Sequence, residues 1–108
     1  MFQLRVSAVH GVGVFTTERI PKGARLRLFD PEDWRFVRKP RAAERALVEH
    51  YCVPDEDGWH CPADFTRMSV GWYLNDSEDP NLRPAGRTFV ALRSIAANEE
   101  LLIDYDAL

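Results

Sequence analysis

The sequence predicts a mostly β domain of short strands with one main helix. Three observations carry that prediction. Apolar stretches are brief and bounded by turn residues. Several of them alternate apolar with polar side chains, the period of a half-buried strand. Only one stretch, near residues 41–50, strings helix-forming residues together without a breaker.

Taken in order, Phe2, Leu4 and Val6 alternate with Gln3, Arg5 and Ser7, which predicts a half-buried strand. Gly11-Val12-Gly13 interrupts the pattern and Val14-Phe15 resumes it. Pro21-Lys22-Gly23 predicts a turn, because proline presets its backbone angle and glycine accepts a positive one. Leu26 and Leu28 then alternate with Arg25 and Arg27 in a further strand. Pro40 suits a first helical position, and Arg41 to His50 supplies alanines, glutamates and Leu47 for the helix. Tyr51-Cys52-Val53 and Gly58-Trp59-His60-Cys61 flank Pro54-Asp55-Glu56-Asp57, the pattern of a hairpin. Thr88-Phe89-Val90-Ala91-Leu92 and Leu101-Leu102-Ile103 complete the expected strands.

The totals bound the rest. At 108 residues the chain has room for one domain, residues 1–108, and one core. Hydrophobic residues at 45% and charged residues at 29% exclude a disordered composition. The net charge of -3 gives no overall electrostatic footprint for nucleic acid. Cys52 and Cys61 are too few for a disulfide-stapled secreted module. Neither a signal peptide nor a membrane span is visible, so the expectation is a soluble intracellular protein. His50, Cys52, His60 and Cys61 match no common zinc spacing, and adjacent His60-Cys61 on a strand would point to opposite faces.

Three stretches hold chemically capable groups. Gly11-Val12-Gly13 lets a backbone approach a ligand closely, although a bend between strands needs the same residues. Asn75-Asp76-Ser77-Glu78-Asp79-Pro80-Asn81 reads as a polar loop by itself. The apolar Trp72-Tyr73-Leu74 before it is left unexplained by that reading. Phe89-Val90-Ala91-Leu92-Arg93-Ser94-Ile95, followed by Glu99-Glu100-Leu101-Leu102-Ile103-Asp104-Tyr105, is also what a hairpin turning at Ala96-Ala97-Asn98 would look like.

In this order and approximate separation, the three stretches resemble the signature of the SET-domain lysine methyltransferases over nearly the whole chain. The resemblance implies a β-clip-like fold, with small sheets around a pseudoknot-like crossing. It implies S-adenosylmethionine as methyl donor and a lysine-bearing protein or peptide as substrate; charge and hydropathy lead to the expectation of no nucleic acid and no membrane partner. The family's Gly-x-Gly lends main-chain groups to the cofactor, a role that falls to Gly11, Val12 and Gly13. Where members typically read Arg-Phe-Ile-Asn-His-Ser-Cys-x-Pro-Asn, this chain keeps Tyr73, Leu74, Asn75, Ser77, Pro80 and Asn81 by match or mild substitution. Asn75 inherits the grip on the cofactor's methionine part, which needs a donor and an acceptor together. Asp76 stands for a histidine whose cofactor contact is partly through its backbone. Tyr105 corresponds to the tyrosine beside the reacting methyl group, so the resemblance makes it the catalytic residue and a cofactor neighbour.

Tyr51, Trp72, Tyr73 and Phe89 are the candidates for a substrate channel, which must exclude water and pack a (CH₂)₄ stem. Glu78 replaces a zinc-binding cysteine of larger members, and no cysteine follows Cys61, so no metal is expected. Pro84 occupies the counted position of a second family tyrosine. The sequence stops at Leu108 without a segment to close the pocket, and analogy with minimal viral members therefore implies a homodimer. The alternative function is a catalytically inactive module of the same fold that binds a protein partner, with or without cofactor.

Overall fold

The computed structural model describes residues 1–108. Its strands are β1 (Phe2–Val6), β2 (Val12–Thr16), β3 (Arg25–Leu26), β4 (Arg35–Val37), β5 (Val53–Asp55), β6 (Gly58–Cys61), β7 (Asn75–Asp76), β8 (Leu82–Ala85), β9 (Thr88–Ala91) and β10 (Glu100–Ile103). One α-helix, α1, spans Arg45–Tyr51, and short 3-10 turns cover Val70–Tyr73 and Tyr105–Ala107. The strands form three small sheets, ordered β1-β2-β10-β7, β3-β9-β8 and β4-β6-β5. No helix is long and apolar enough to cross a membrane.

The first sheet follows the predicted β1 strand, with one difference. Phe2 packs on the main core, but Leu4 and Val6 stay exposed, Val6 at 85%. β1 is the sheet's edge, and the buried apolar face is supplied one strand inward by Val14 of β2. The Pro21 turn closes as expected, with Ala24 N–H donating to the Pro21 carbonyl at 3.1 Å.

The helix begins later than the sequence predicts. Arg41 to Glu44 closes a separate turn, Glu44 N–H donating to the Arg41 carbonyl at 2.9 Å. Glu44 does not cap α1 with its side chain; its carboxylate sits 3.3 Å from the Arg35 guanidinium instead. The hairpin expected around residues 54–57 forms as β5 and β6, pairing Val53 with His60 and Asp55 with Gly58. Tyr51 and Cys52 belong to the end of α1 rather than to β5. Cys52 and Cys61 are buried with Val48 in a small second cluster, where burial and the neighbouring Cys61 push the Cys52 thiol up to about 12.

The two C-terminal strands do not form the simple hairpin that their spacing allows. The turn is present, since Glu99 N–H donates to the Ala96 carbonyl at 3.2 Å and Asn98 adopts φ 70°. Asparagine tolerates that left-handed backbone better than other branched or bulky residues. Yet β9 pairs with β3 and β8, whereas β10 pairs with β2 and, in parallel, with β7. The parallel register sets Leu102 opposite Asn75 and Ile103 opposite Asp76. Two segments remote in sequence therefore cross at one place.

Asn81 fixes that crossing. It is 1% exposed, and every polar group it owns is used. Its amide donates to the Glu100 carbonyl at 2.8 Å and to Glu99 Oε2 at 3.1 Å. Its side-chain oxygen accepts from Leu102 N–H at 2.8 Å. Its backbone N–H donates to the Leu102 carbonyl, and its carbonyl accepts from Leu92 N–H. The main core comprises eleven buried apolar residues, among them Val14, Leu28, Leu82, Ile95 and Leu101.

Removing a side chain so placed leaves the partly buried Leu102 N–H and Glu100 carbonyl without their partner, a loss of about 2–3 kcal/mol. Asn81→Ala is therefore expected to lower the melting temperature by on the order of 10 °C, measured by thermal circular dichroism. A change within about 2 °C would remove the crossing's dependence on this residue. Burial works to raise the Glu99 carboxyl, but Arg93, the Ala96 N–H and Asn81 together hold it below the usual glutamate range. The unfolded chain binds that proton more readily, so this contribution is full above the ordinary glutamate value of about 4.3 and is lost as pH falls below it. Glu99→Gln should flatten the acid limb of stability in urea titrations between about pH 5 and 3.

Candidate active site

β7 divides the candidate site into two halves, because successive strand residues point to opposite sides. Asn75 faces the Gly11-to-Gly13 segment. Leu74, before it, lies in the core and on the wall of a cavity.

On the Asn75 side the amide nitrogen has four acceptors around it. Ser7 Oγ lies at 3.1 Å, the His10 and Val12 carbonyls at 3.0 Å, and Glu100 Oε2 at 2.9 Å. The Ser7 hydroxyl reaches the same Glu100 carboxylate at 2.7 Å. An amide carries two N–H groups, so Asn75 cannot satisfy all four acceptors, and the cluster keeps a surplus of negative and partial negative charge. The glycines serve this half in different ways. Gly11 adopts φ +47°, and a Cβ there would meet open space. Gly13 is needed for packing: a Cβ would run into the Glu100 carboxylate and come within 3.1 Å of the Asn75 amide. Val12, between them, is 45% exposed.

The other half is a cavity of about 810 Å³. Tyr51, Trp72, Phe89 and Tyr105 all line it, as does Pro84. Aromatic rings form much of the wall: Phe29 meets Trp72 edge-on at 5.1 Å and stacks near Phe89 at 6.1 Å, while Trp34 tilts against Trp72 at 6.0 Å. Such offset and edge contacts hold rings in fixed orientations. Tyr73 departs from its expected place. Residues in a 3-10 turn advance by a third of a circle each, so Tyr73 diverges from Trp72. It packs on the main core with its hydroxyl 4.0 Å from Met68 Sδ, and is not part of the cavity wall.

Tyr105 joins the halves. Its hydroxyl donates to the Leu74 carbonyl at 2.5 Å, and its backbone N–H donates to Asp76 Oδ1 at 2.8 Å. Asp76 thus has a structural task of its own, tying the C-terminal turn to β7. Partial burial, and then the Asp76 carboxylate, raise the Tyr105 phenol above its ordinary range. At neutral pH it is a hydroxyl donor, not a phenolate. No three of the chain's His, Cys, Asp and Glu side chains gather as metal ligands.

Sequence patterns alone missed Ser7, the charge role of Glu100, and the two aromatics Phe29 and Trp34. Glu100 left a signal, since it stands in the Glu99-Glu100-Leu101 stretch already singled out. Phe29 and Trp34 fall outside the strands, where no period marks them, and Ser7 is marked only as a polar position of the β1 alternation.

The SET domain family model matches residues 11–106 of this chain. No curated protein matches it by sequence. Among solved structures it is similar to a Plasmodium falciparum protein proposed to be a histone methyltransferase, with a TM-score of 0.62 and 20% identity over 97% of this chain and 96% of that one. It is also similar to a humanized mutant of the Chaetomium thermophilum Polycomb Repressive Complex 2 bound to the inhibitor GSK343, with a TM-score of 0.72 and 21% identity. The same complex bound to GSK126 gives 0.68 and 22%. All of this chain is covered in both, but only 15% of the larger chain. At these identities the likeness establishes the fold.

Gly13→Ala tests the packing of the acceptor cluster. It is expected to cost about 1–2 kcal/mol by overpacking against Glu100, read from urea unfolding. The cost should shrink when Glu100→Ala is made in the same chain, because the two sites share the contact. Additive costs would place the strain elsewhere.

Proposed function

We propose that this chain, which belongs to the SET-domain family, is a protein-lysine methyltransferase that takes its methyl group from S-adenosylmethionine. The observation that carries the reading is the convergence of the segments that hold Asn75 and Tyr105: β10 pairs Leu102 with Asn75, and Tyr105 bonds to Leu74 and Asp76, the residues on either side of Asn75.

The residues present fit the donor. Its methionine part ends in an ammonium and a carboxylate. The surplus acceptors around Asn75, namely the His10 and Val12 carbonyls and the Glu100 carboxylate, suit an ammonium. The open side of Gly11 leaves main chain free for close approach. Gly11, Val12, Gly13, Asn75 and the backbone of Asp76 would hold it. When bound, S-adenosylmethionine supplies an electrophilic methyl group on a positively charged sulfur.

The chain's own residues would do the rest by positioning. A lysine side chain entering past Trp72 and Phe89 exchanges water for aromatic walls, which lowers its amine from about 10.4 and favours the neutral form. The Tyr105 hydroxyl donates to the Leu74 carbonyl at the β7 partition, so the phenol oxygen and that carbonyl are left as acceptors. By accepting the amine's N–H groups they would leave its lone pair free to point at the methyl carbon. Tyr105, held protonated, orients and does not remove the proton; the amine sheds it to water on entry. Alignment of this kind can contribute on the order of 7 kcal/mol, so no acid–base dyad is required.

Two variants divide binding from transfer. Tyr105→Phe should keep donor affinity in calorimetry while cutting radiolabelled methyl transfer about 10²-fold. Asn75→Ala should weaken donor binding about tenfold or more. Transfer unchanged in the tyrosine variant would refute its assignment. If the parent chain gives neither heat nor a thermal shift with the donor, cofactor use is excluded and only the partner-binding module survives.

A further inference from the structure

The modest net charge hides a strong segregation. Residues 19–29 contain Arg19, Lys22, Arg25 and Arg27 and no acidic residue; residues 82–98 contain Arg83, Arg87 and Arg93 and none either. Half of the chain's 14 cationic residues thus lie in two segments, and all 17 acidic residues lie outside them. These segments hold the three strands of one sheet, β3-β9-β8.

The sheet's two faces differ completely. Leu26, Phe89 and Pro84 align across it on the inner face, where Leu26 and Phe89 are buried. Arg25 and Arg83 both register against Val90 on the outer face, roughly two strand spacings or about 10 Å apart. Arg25 Nη1 donates to Thr88 Oγ1 at 2.7 Å, and Thr88 lines the cavity together with Arg27 and Arg87. Arg87 lies over the Trp34 ring at 5.4 Å. None of Arg25, Arg27, Arg83 and Arg87 has a carboxylate partner; the chain's ion pairs are Arg35–Glu44, His60–Asp55 and Arg93–Glu99. Unpaired like charges on one sheet face repel, and an anionic partner relieves that repulsion.

We infer that this outer face and the adjoining cavity rim receive a substrate segment that carries acidic residues beside its lysine. The inference rests on the methyltransferase reading for the lysine, and on charge and position for its neighbours. The basic face opens onto the cavity that holds Tyr105, so whatever it binds is led to that opening. A nucleic acid backbone would need a longer basic track. Here the track ends at carboxylates: Asp30 shares the cavity wall, and Asp76, Asp104 and Asp106 surround Tyr105. A short acidic peptide segment fits between these limits, with its lysine on the acidic side.

Fluorescence anisotropy with labelled peptides tests this. One lysine is flanked in turn by glutamates, glutamines or arginines, with a duplex oligonucleotide as a further probe. The glutamate peptide should bind about tenfold more tightly than the glutamine peptide, and the advantage should fade with salt. Arg25→Glu with Arg83→Glu should abolish the advantage. Arg25→Gln with Arg83→Gln should reduce it about threefold, with melting curves reporting the fold in each case. Equal binding of all three peptides overturns the inference, as does a duplex held tightly while the glutamate peptide is not. The preference should persist in Tyr105→Phe; binding by the parent chain without any transfer would defeat the enzyme reading and leave this one standing. Transfer favouring the arginine-flanked lysine would do the reverse.

Discussion

One buried asparagine holds the two halves of the molecule in register. Asn81 satisfies three backbone groups with its own main chain and side chain along β10, and one carboxylate besides. A buried amide with any partner missing would cost more than its bonds contribute, so the arrangement tolerates little drift. Because β10 is pinned at Leu102, the residues after it emerge beside β7. Tyr105 therefore reaches the Leu74 carbonyl and the Asp76 carboxylate without a long or mobile connection. The placement of the phenol is a consequence of the amide beneath it.

The two asparagines of this stretch do opposite work. Asn81 is saturated, whereas Asn75 sits among more acceptors than it has protons to offer. Saturation suits a structural joint, and surplus acceptors suit a place where a cationic group arrives. β7 separates that polar cluster from the aromatic cavity by the thickness of a strand. A reaction carried out across such a partition joins a polar ligand to an apolar channel without mixing their surroundings. That separation matters because a dry wall is what shifts an amine toward its neutral form.

Much of this was legible in the sequence, for reasons that can be stated residue by residue. Asn75, Asn81 and Tyr105 stand in ordered, unusual strings, and β10 is apolar enough to declare itself. Phe29 and Trp34 could not be read in the same way, because their value lies in mutual ring contacts made by separate loops. Tyr73 misled because adjacency to Trp72 suggests a shared wall, whereas a 3-10 turn sends neighbours apart. The helix start was misjudged because Pro40 is a permissive signal, while the competing pull of Arg35 on Glu44 is a tertiary contact. The hairpin that β9 and β10 could have formed lost to pairings with β2, β3, β7 and β8. Short strands carry too little pairing preference of their own to choose among such partners.

Net charge hides the distribution of charge, because it sums over surfaces that never meet. The β3-β9-β8 sheet has an apolar inner face that builds core and cavity, and its alternating pattern forces the polar residues outward. Polar residues on that face need not all be cationic, and neutral side chains would keep the sheet without its repulsion. Arginines there pay in self-repulsion whenever the face is empty, since no carboxylate of the chain comes near enough to pair with Arg25, Arg27, Arg83 or Arg87. Stability alone gives no reason to collect them. Their position beside the opening that contains Tyr105 gives one under the proposed function, because there the same repulsion would become attraction for an acidic segment and would set which substrate segments approach the phenol.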